Sequence, residues 1–234
     1  MTSVETTKSA LWRLVVVGGH TRSIGKTQLV CDIIRAFPRA WWIAGKITQY
    51  GHGVCAQNGE NCDCAPTEHV CALDWESDAN TGTDSSRFLA AGAQRSFWLR
   101  TKQGYLAEGL PLLREALDQI AAEAALHPKA ALIVESNSLL QFVKPSLYLA
   151  VLDPDKEDFK SSAQSALDRA NLLVLRSSTT PSPTDAPPVP IWLKLPAKLL
   201  QERPSVLQRE GEPLPAPVEA LVYRALDNPP SIKV

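Results

Sequence analysis

The sequence predicts an α/β fold, a mostly parallel sheet with helices on both faces, and three observations carry that prediction. Four short runs (residues 14–17, 130–134, 147–152 and 172–175) are apolar throughout, as strands buried on both faces must be. Between them lie stretches with apolar residues at helical spacing: Leu29, Val30, Ile33, Ile34 and Phe37, then Leu112, Leu113, Ala116, Leu117, Ile120 and Ala124. The two kinds alternate along the chain, which is the pattern of strands joined in parallel by helical crossovers.

The elements follow in order. A first strand at 14–17 leads through a glycine-bearing loop into a helix reaching Phe37, and residues 40–47 (AWWIAGKI) read as a second buried strand. Residues 50–78 have no clear periodicity. A short helix at 83–93, a strand at 96–100 and a long helix at 110–126, stopped by Pro128, come next. The strand 130–134 ends at Glu135. A strand at 147–152, a helix at 159–170 and a strand at 172–175 complete the regular part. Residues 177–190 hold five prolines and read as an extended linker or surface loop. Beyond it, a last strand at 191–195 and a closing helix at 218–225 are expected, with prolines keeping 196–217 irregular. The expected organisation is a nucleotide-binding domain over 1–176 with an insertion at 50–78, the linker, and a C-terminal strand and helix (191–234) packed on the same domain.

With 234 residues, 44% hydrophobic and 21% charged, the chain has the composition of a soluble globular protein. Its formal charge of −1 leaves no electrostatic footprint for nucleic acid or an anionic membrane, and no apolar run approaches a membrane span. Residues 1–10 are polar and lack the apolar core of a secretory leader, so a cytoplasmic location is expected.

The run from Leu14 to Gln28 carries the chemistry. A buried strand feeds the loop Gly19-His20-Thr21-Arg22-Ser23-Ile24-Gly25, which ends in Lys26-Thr27-Gln28 at the head of an amphipathic helix. Such a loop cradles polyphosphate with its backbone N–H groups, the lysine neutralises charge and the threonine hydroxyl reaches Mg²⁺. The expectation is therefore a three-layer P-loop NTPase fold binding GTP or ATP with Mg²⁺. Five residues separate Gly19 from Gly25, one more than the usual spacing. Glu135 sits at a strand's carboxyl end, where ligands of a parallel sheet collect, and is expected to hold Mg²⁺ with Thr27; the alternative is a solvated loop acid. Lys46, near the end of the second strand, is a candidate for an anionic substrate or a plain surface lysine.

Cys55, Cys62, Cys64 and Cys71 are spaced C-x₆-C-x-C-x₆-C, with His52 and His69 close by. In a reducing compartment such a cluster points to metal, with Zn²⁺ preferred and an iron–sulfur cluster the alternative, ordering a loop that has no core of its own. Reduced thiols on a mobile loop are the plain alternative.

The longer phosphate loop is similar to that of dethiobiotin synthetases, with Gly19, Thr21, Ile24, Gly25, Lys26 and Thr27 in matching places. Thr81-Gly82-Thr83-Asp84-Ser85-Ser86-Arg87, followed by Gly92-Ala93, resembles the Gly-Lys-Asp-Ser-x-Arg…Ala-Gly-Ala segment of the MobB family. The strand before Lys46, the Leu-Ile-Val-Glu strand ending at Glu135, and the order of these pieces also fit that family, over roughly residues 12–176. The resemblance implies GTP on Gly25, Lys26 and Thr27, with Asp84, Ser85 and Arg87 forming a second or metal-proximal cluster. It further implies an accessory, weakly hydrolysing GTPase of molybdenum cofactor (molybdopterin guanine dinucleotide) biosynthesis, with molybdopterin and its nucleotidyltransferase as partners and a homodimer as one possible state. Read from residues alone, Asp84 or Thr83 would instead cap a helix and leave Arg87 exposed. The chain departs from the family in its longer loop and in Ile47-Thr48-Gln49-Tyr50, where histidines are usual. It also lacks the Asn-Lys-x-Asp guanine signature, having Arg176-Ser177-Ser178 after the strand at 172–175. Two other functions stay open: an ATP-dependent small-molecule kinase or ligase, and a nucleotide-switched metal-binding module.

Overall fold

The computed structural model describes residues 11–51, 70–177 and 202–232. Cys55, Cys62, Cys64, most of the linker and the strand expected at 191–195 lie outside these residues. The described elements are β1 (Leu14–Gly19), α1 (Lys26–Ala36), β2 (Trp41–Tyr50), β3 (Cys71–Glu76), α2 (Asp84–Ala90), β4 (Arg95–Lys102), α3 (Leu106–Gln119), α4 (Ala121–Ala124), β5 (Ala130–Glu135), β6 (Leu147–Leu152), α5 (Ser161–Gln164), β7 (Leu172–Ser177), β8 (Ser205–Arg209) and α6 (Ala216–Asp227). The strands form one sheet in the order β3-β4-β2-β5-β1-β6-β7-β8, parallel throughout except for the antiparallel edge pair β3–β4. This is the three-layer, mostly parallel α/β architecture that the apolar runs predict.

Period-two alternation along β1 divides the interior into two cores. Leu14 and Val16 join a cluster with Leu106, Leu110, Leu113 and Leu117 of α3. Val15 and Val17 join the opposite one with Leu29, Val30, Ile33 and Ile34 of α1, Phe88 of α2, and Val218 and Val222 of α6. Each strand residue is buried on one face or the other, which is why the central strands are apolar at every position.

The structure corrects the sequence reading in four places. β3 lies inside the stretch read as aperiodic. It is an edge strand whose Leu73 and Trp75 pack inward only partly and whose Asp74 pairs outward with Arg100, so its alternation is faint. α3 begins at Leu106, four residues earlier than expected, because Gly109 serves close packing: a Cβ there would sit 2.6 Å from Thr101 Cγ2 on β4. The helix expected over 159–170 is reduced to α5 and a 3₁₀ turn at Leu167–Arg169. Serines there compete for the backbone, as Ser165 does by donating to Ser162 O at 3.3 Å. Finally, β8 lies in the proline-rich tail. It pairs with β7 at the sheet's edge, where flanking prolines are tolerated, and Leu173 N donates to Pro204 O at 2.9 Å.

Candidate functional site

β1 ends at Gly19, β5 at Glu135 and β6 at Leu152, and their carboxyl tips frame the loop 20–25. Four anchors set the loop's course. The Asn137 amide clamps Gly19 from both sides, accepting from Gly19 N at 2.8 Å and donating to Gly19 O at 2.7 Å. His20 is fully buried: its Nδ1 accepts from Asp153 N at 3.4 Å, so its Nε2 carries the proton and donates to Lys156 O at 3.1 Å. Thr21, also buried, donates to Asp158. Ile24 drops into the α1-side core and serves as an apolar anchor. Ser23 (φ +50°) and Gly25 (φ +86°) then turn the chain into α1. Gly25 is required twice over, by its left-handed backbone and because the Arg176 side chain lies where a Cβ would point, 2.6 Å away.

A strap formed by residues 153–160, just past β6, holds the loop from outside. Besides its contacts to His20 and Thr21, Lys156 Nζ donates to Ser23 O at 2.6 Å, and Lys160 N donates to His20 O at 2.9 Å. Burial pushes the His20 pKa below that of a free imidazole, only partly offset by its backbone hydrogen bonds and Asp153. The ring is therefore neutral, as its hydrogen bonds require.

Among the described residues the first turn of α1 has no side-chain cap and no acidic residue, and Gly25, Lys26, Thr27 and Gln28 at its head line the cleft. Lys26 Nζ folds back onto Thr21 O at 2.5 Å. Burial lowers its pKa against the opposing pull of Glu135. Thr27 Oγ1 donates to Glu135 Oε2 at 2.6 Å, and Glu135 Oε1 lies 3.9 Å from Lys46 Nζ. Lys46 sits mid-strand, a correction to its expected place near a strand end. It is the register partner of Glu135, at the point where β2 outruns β5 and stays paired with β4 alone. Lys46 also pairs with Asp84, whose other oxygen lies 3.6 Å from Arg87, and Arg87 donates to Gln28 Oε1 at 3.0 Å. Thr27, Glu135, Lys46, Asp84, Arg87 and Gln28 thus form one continuous polar chain drawn from α1, α2, β2 and β5.

Thr83, not Asp84, caps α2, accepting from Ser86 N at 3.1 Å and leaving the Asp84 carboxylate free for Lys46. Glu76, at the end of β3, gathers the hydroxyls of Thr81, Thr83 and Ser85 (3.4, 2.9 and 3.0 Å) and so fixes that helix start. Burial would raise the Glu76 pKa, but the donors around it, first Asp78 N and then the Thr83 and Ser85 hydroxyls, bring it below the usual carboxylate value. Ser85 is consequently buried against Glu76, while Asp84 and Arg87 line the cleft. That cleft, about 1300 Å³, also takes in Arg22, Lys26, Thr27, Lys46 and Glu135.

No family model matches the chain, and no curated protein matches it. Among solved structures it is similar to HypB from Helicobacter pylori in complex with nickel: 14% identity, TM-score 0.44, with 90% of this chain and 83% of that one covered. At that level the similarity says nothing of ligand or activity.

Of the cysteine set, Cys71 alone is described; it is half-buried on β3 with Sγ 3.5 Å from Tyr105 O. Among the described residues, no three His, Cys, Asp or Glu side chains converge on a metal position. Sequence reasoning missed the Asn137 clamp, the strap, Glu76 and Arg176. The charged run Asp153-Pro154-Asp155-Lys156-Glu157-Asp158 directly after a strand end was the available clue to the strap.

Proposed function

We propose that this chain is a Mg²⁺-dependent GTP-binding protein with weak NTPase activity, acting as an accessory factor in molybdenum cofactor biosynthesis. The observation that supports it best is the 2.6 Å bond between Thr27, at the head of α1, and Glu135, at the tip of β5. A hydroxyl and a carboxylate oxygen side by side next to an open ring of backbone N–H groups are the hard donors that Mg²⁺ prefers, so the residues present fit the ion. When bound, Mg²⁺ would neutralise charge on the polyphosphate. The loop amides and the α1 N-terminus would hold the phosphates, and Lys26 would exchange Thr21 O for a phosphate oxygen. Of the cleft carboxylates, Glu135 and Asp84 are engaged by Thr27 and Lys46, so neither is poised to activate water. The guanine preference, molybdopterin, its nucleotidyltransferase and the pathway rest on the resemblance to the MobB family over Asp84-Ser85, Arg87 and Gly92-Ala93.

The test is a titration of GTP against ATP with Mg²⁺, repeated on Lys26→Ala. Tighter GTP binding that collapses in the variant is expected, and equal, Lys26-independent affinity for both nucleotides would remove the assignment. Co-elution with molybdopterin nucleotidyltransferase in the presence of GTP tests the pathway. A second reading, an ATP-dependent kinase or ligase, is favoured by the cleft's extension past the phosphate loop to Gln103, Leu106 and Phe142, which leaves room for another substrate. It predicts ADP release that depends on that substrate.

A further inference from the structure

Lys160 is the cleft cation for which the proposed phosphate loop has no use. Its backbone is fixed, because Lys160 N donates to His20 O and the strap before it is tied to the loop through Lys156 and Asp158. Its side chain is half-buried and lines the same cleft as Lys26, Thr27 and Lys46. Of the other lysines and arginines there, Lys26 rests on Thr21 O, Lys46 on Asp84, Arg87 on Asp84 and Gln28, and Arg176 on Asp32, and Arg22 is engaged as well. Among the described residues, no oxygen accepts from the Lys160 ammonium and no carboxylate lies within ion-pair distance of it. The nearest acid, Asp158, already takes the Thr21 hydroxyl.

Four charges act on this ammonium from the elements around it: Arg22 of the loop, Lys26 of α1 and Lys46 of β2 oppose its charge, and Asp158 of the strap favours it. Burial first, then these cations, bring its pKa down to about 8. A positive charge kept in a partly dry cleft beside three others is stabilised by an arriving anion. The position also identifies which anion. Lys160 N donates to His20 O while the Lys26 ammonium rests on Thr21 O, the next carbonyl of the loop, so the two lysines start from neighbouring points at the loop's entry. The lysine of such a loop reaches the β- and γ-phosphates, so an anion that Lys26 shares with Lys160 lies at that outer end of the polyphosphate.

We propose that Lys160 is a second cationic ligand for the terminal phosphate of the bound triphosphate, contributed by the strap, so that the strap distinguishes triphosphate from diphosphate. The assignment rests on the nucleotide-binding reading above. It makes the 153–160 segment part of the binding site as well as a brace, since the residue that touches the nucleotide also ties the loop to β6.

The experiment compares a non-hydrolysable GTP analogue with GDP, both with Mg²⁺, on the full chain and on Lys160→Met, Lys160→Arg and Lys26→Ala. In Lys160→Met, triphosphate affinity should fall about tenfold while GDP affinity changes by less than about twofold; Lys160→Arg should stay within about threefold of the parent for both. Equal losses for the two nucleotides, or no loss, would overturn the assignment. So would unchanged triphosphate affinity in Lys160→Met coupled with lost binding of inorganic phosphate to the GDP complex, which would give the lysine to a separate anionic substrate. A parent chain that binds neither nucleotide, or that ignores Lys26→Ala, is a different result, because it removes the nucleotide reading itself. Thermal melts of Lys160→Met and Lys160→Arg keep folding defects separate; the strap contact is made by the backbone N–H, which both variants retain.

Discussion

Thr27 and Glu135 are 108 residues apart in the chain and 2.6 Å apart in space, hydroxyl to carboxylate, at the meeting point of the α1 N-terminus and the β5 tip. Register explains the encounter: β5 pairs with β1 on one side and β2 on the other, so Glu135 is delivered beside both Val17 and Lys46. In Glu135→Gln the side chain still reaches Thr27 but loses its negative charge. The Mg²⁺-dependent part of GTP affinity should fall about ten- to a hundredfold, read by titration with and without the ion. Thr27→Ser should keep the response and Thr27→Ala lose it; a Mg²⁺ response untouched in Glu135→Gln would refute the ion-binding role.

Asn137 holds the loop's entry through two hydrogen bonds to one residue, Gly19. Asn137→Ala leaves a buried N–H and C=O without partners, which costs about 1–3 kcal/mol. Chemical denaturation should show that loss, and nucleotide affinity should drop with it because the loop's first turn is released. Stability within error of the parent would mean that the clamp contributes nothing.

Beneath that clamp, the Tyr148 hydroxyl is buried without a hydrogen-bond partner among the described residues, and burial raises its pKa. Deleting an unsatisfied polar atom removes a desolvation cost, so Tyr148→Phe should leave the melting temperature unchanged or raise it. A destabilisation beyond about 1 kcal/mol would show that the hydroxyl has a partner after all.

His20 predicts an acid limb in stability. Its folded pKa is depressed, so in the acidic range the unfolded chain binds a proton that the folded chain resists. The stability tied to the neutral ring is fully present well above pH 6.5 and declines as pH falls below that value. Denaturation midpoints between pH 7.5 and 5.5, a window above the Glu76 titration, should fall in the parent and flatten in His20→Gln. Parallel slopes in the two proteins would assign the acid limb to other groups.

Much of the fold and part of the site was legible in the sequence because the relevant physics is local. Leu14, Val15, Val16 and Val17 announce a strand buried on both faces, Leu29 to Ile34 announce the helix that covers it, and Lys26-Thr27 open that helix just past the turn. Glu135 was legible as the polar end of an apolar run. The segment holding Asp84 and Arg87 was legible by resemblance, although the identity of the capping residue was not. β3 and β8 escaped because an edge strand buries one flank at most, so Leu73 and Trp75 leave a weak pattern and Pro204 masks its neighbour. The reduced helix after residue 160 escaped because apolar spacing says nothing about serines that compete for the backbone.

The sequence by itself determined which segments would be buried and where a glycine-bearing loop would join a strand to a helix, since both depend on neighbours a few residues away. Only the tertiary structure decided that Asn137 would grip Gly19, that Lys46 would stand between Asp84 and Glu135, and that Lys160 would line the cleft. Those outcomes follow from strand order and register, which join residues as far apart as 38 positions (Lys46 and Asp84) and 118 positions (Gly19 and Asn137) and leave no trace in local periodicity.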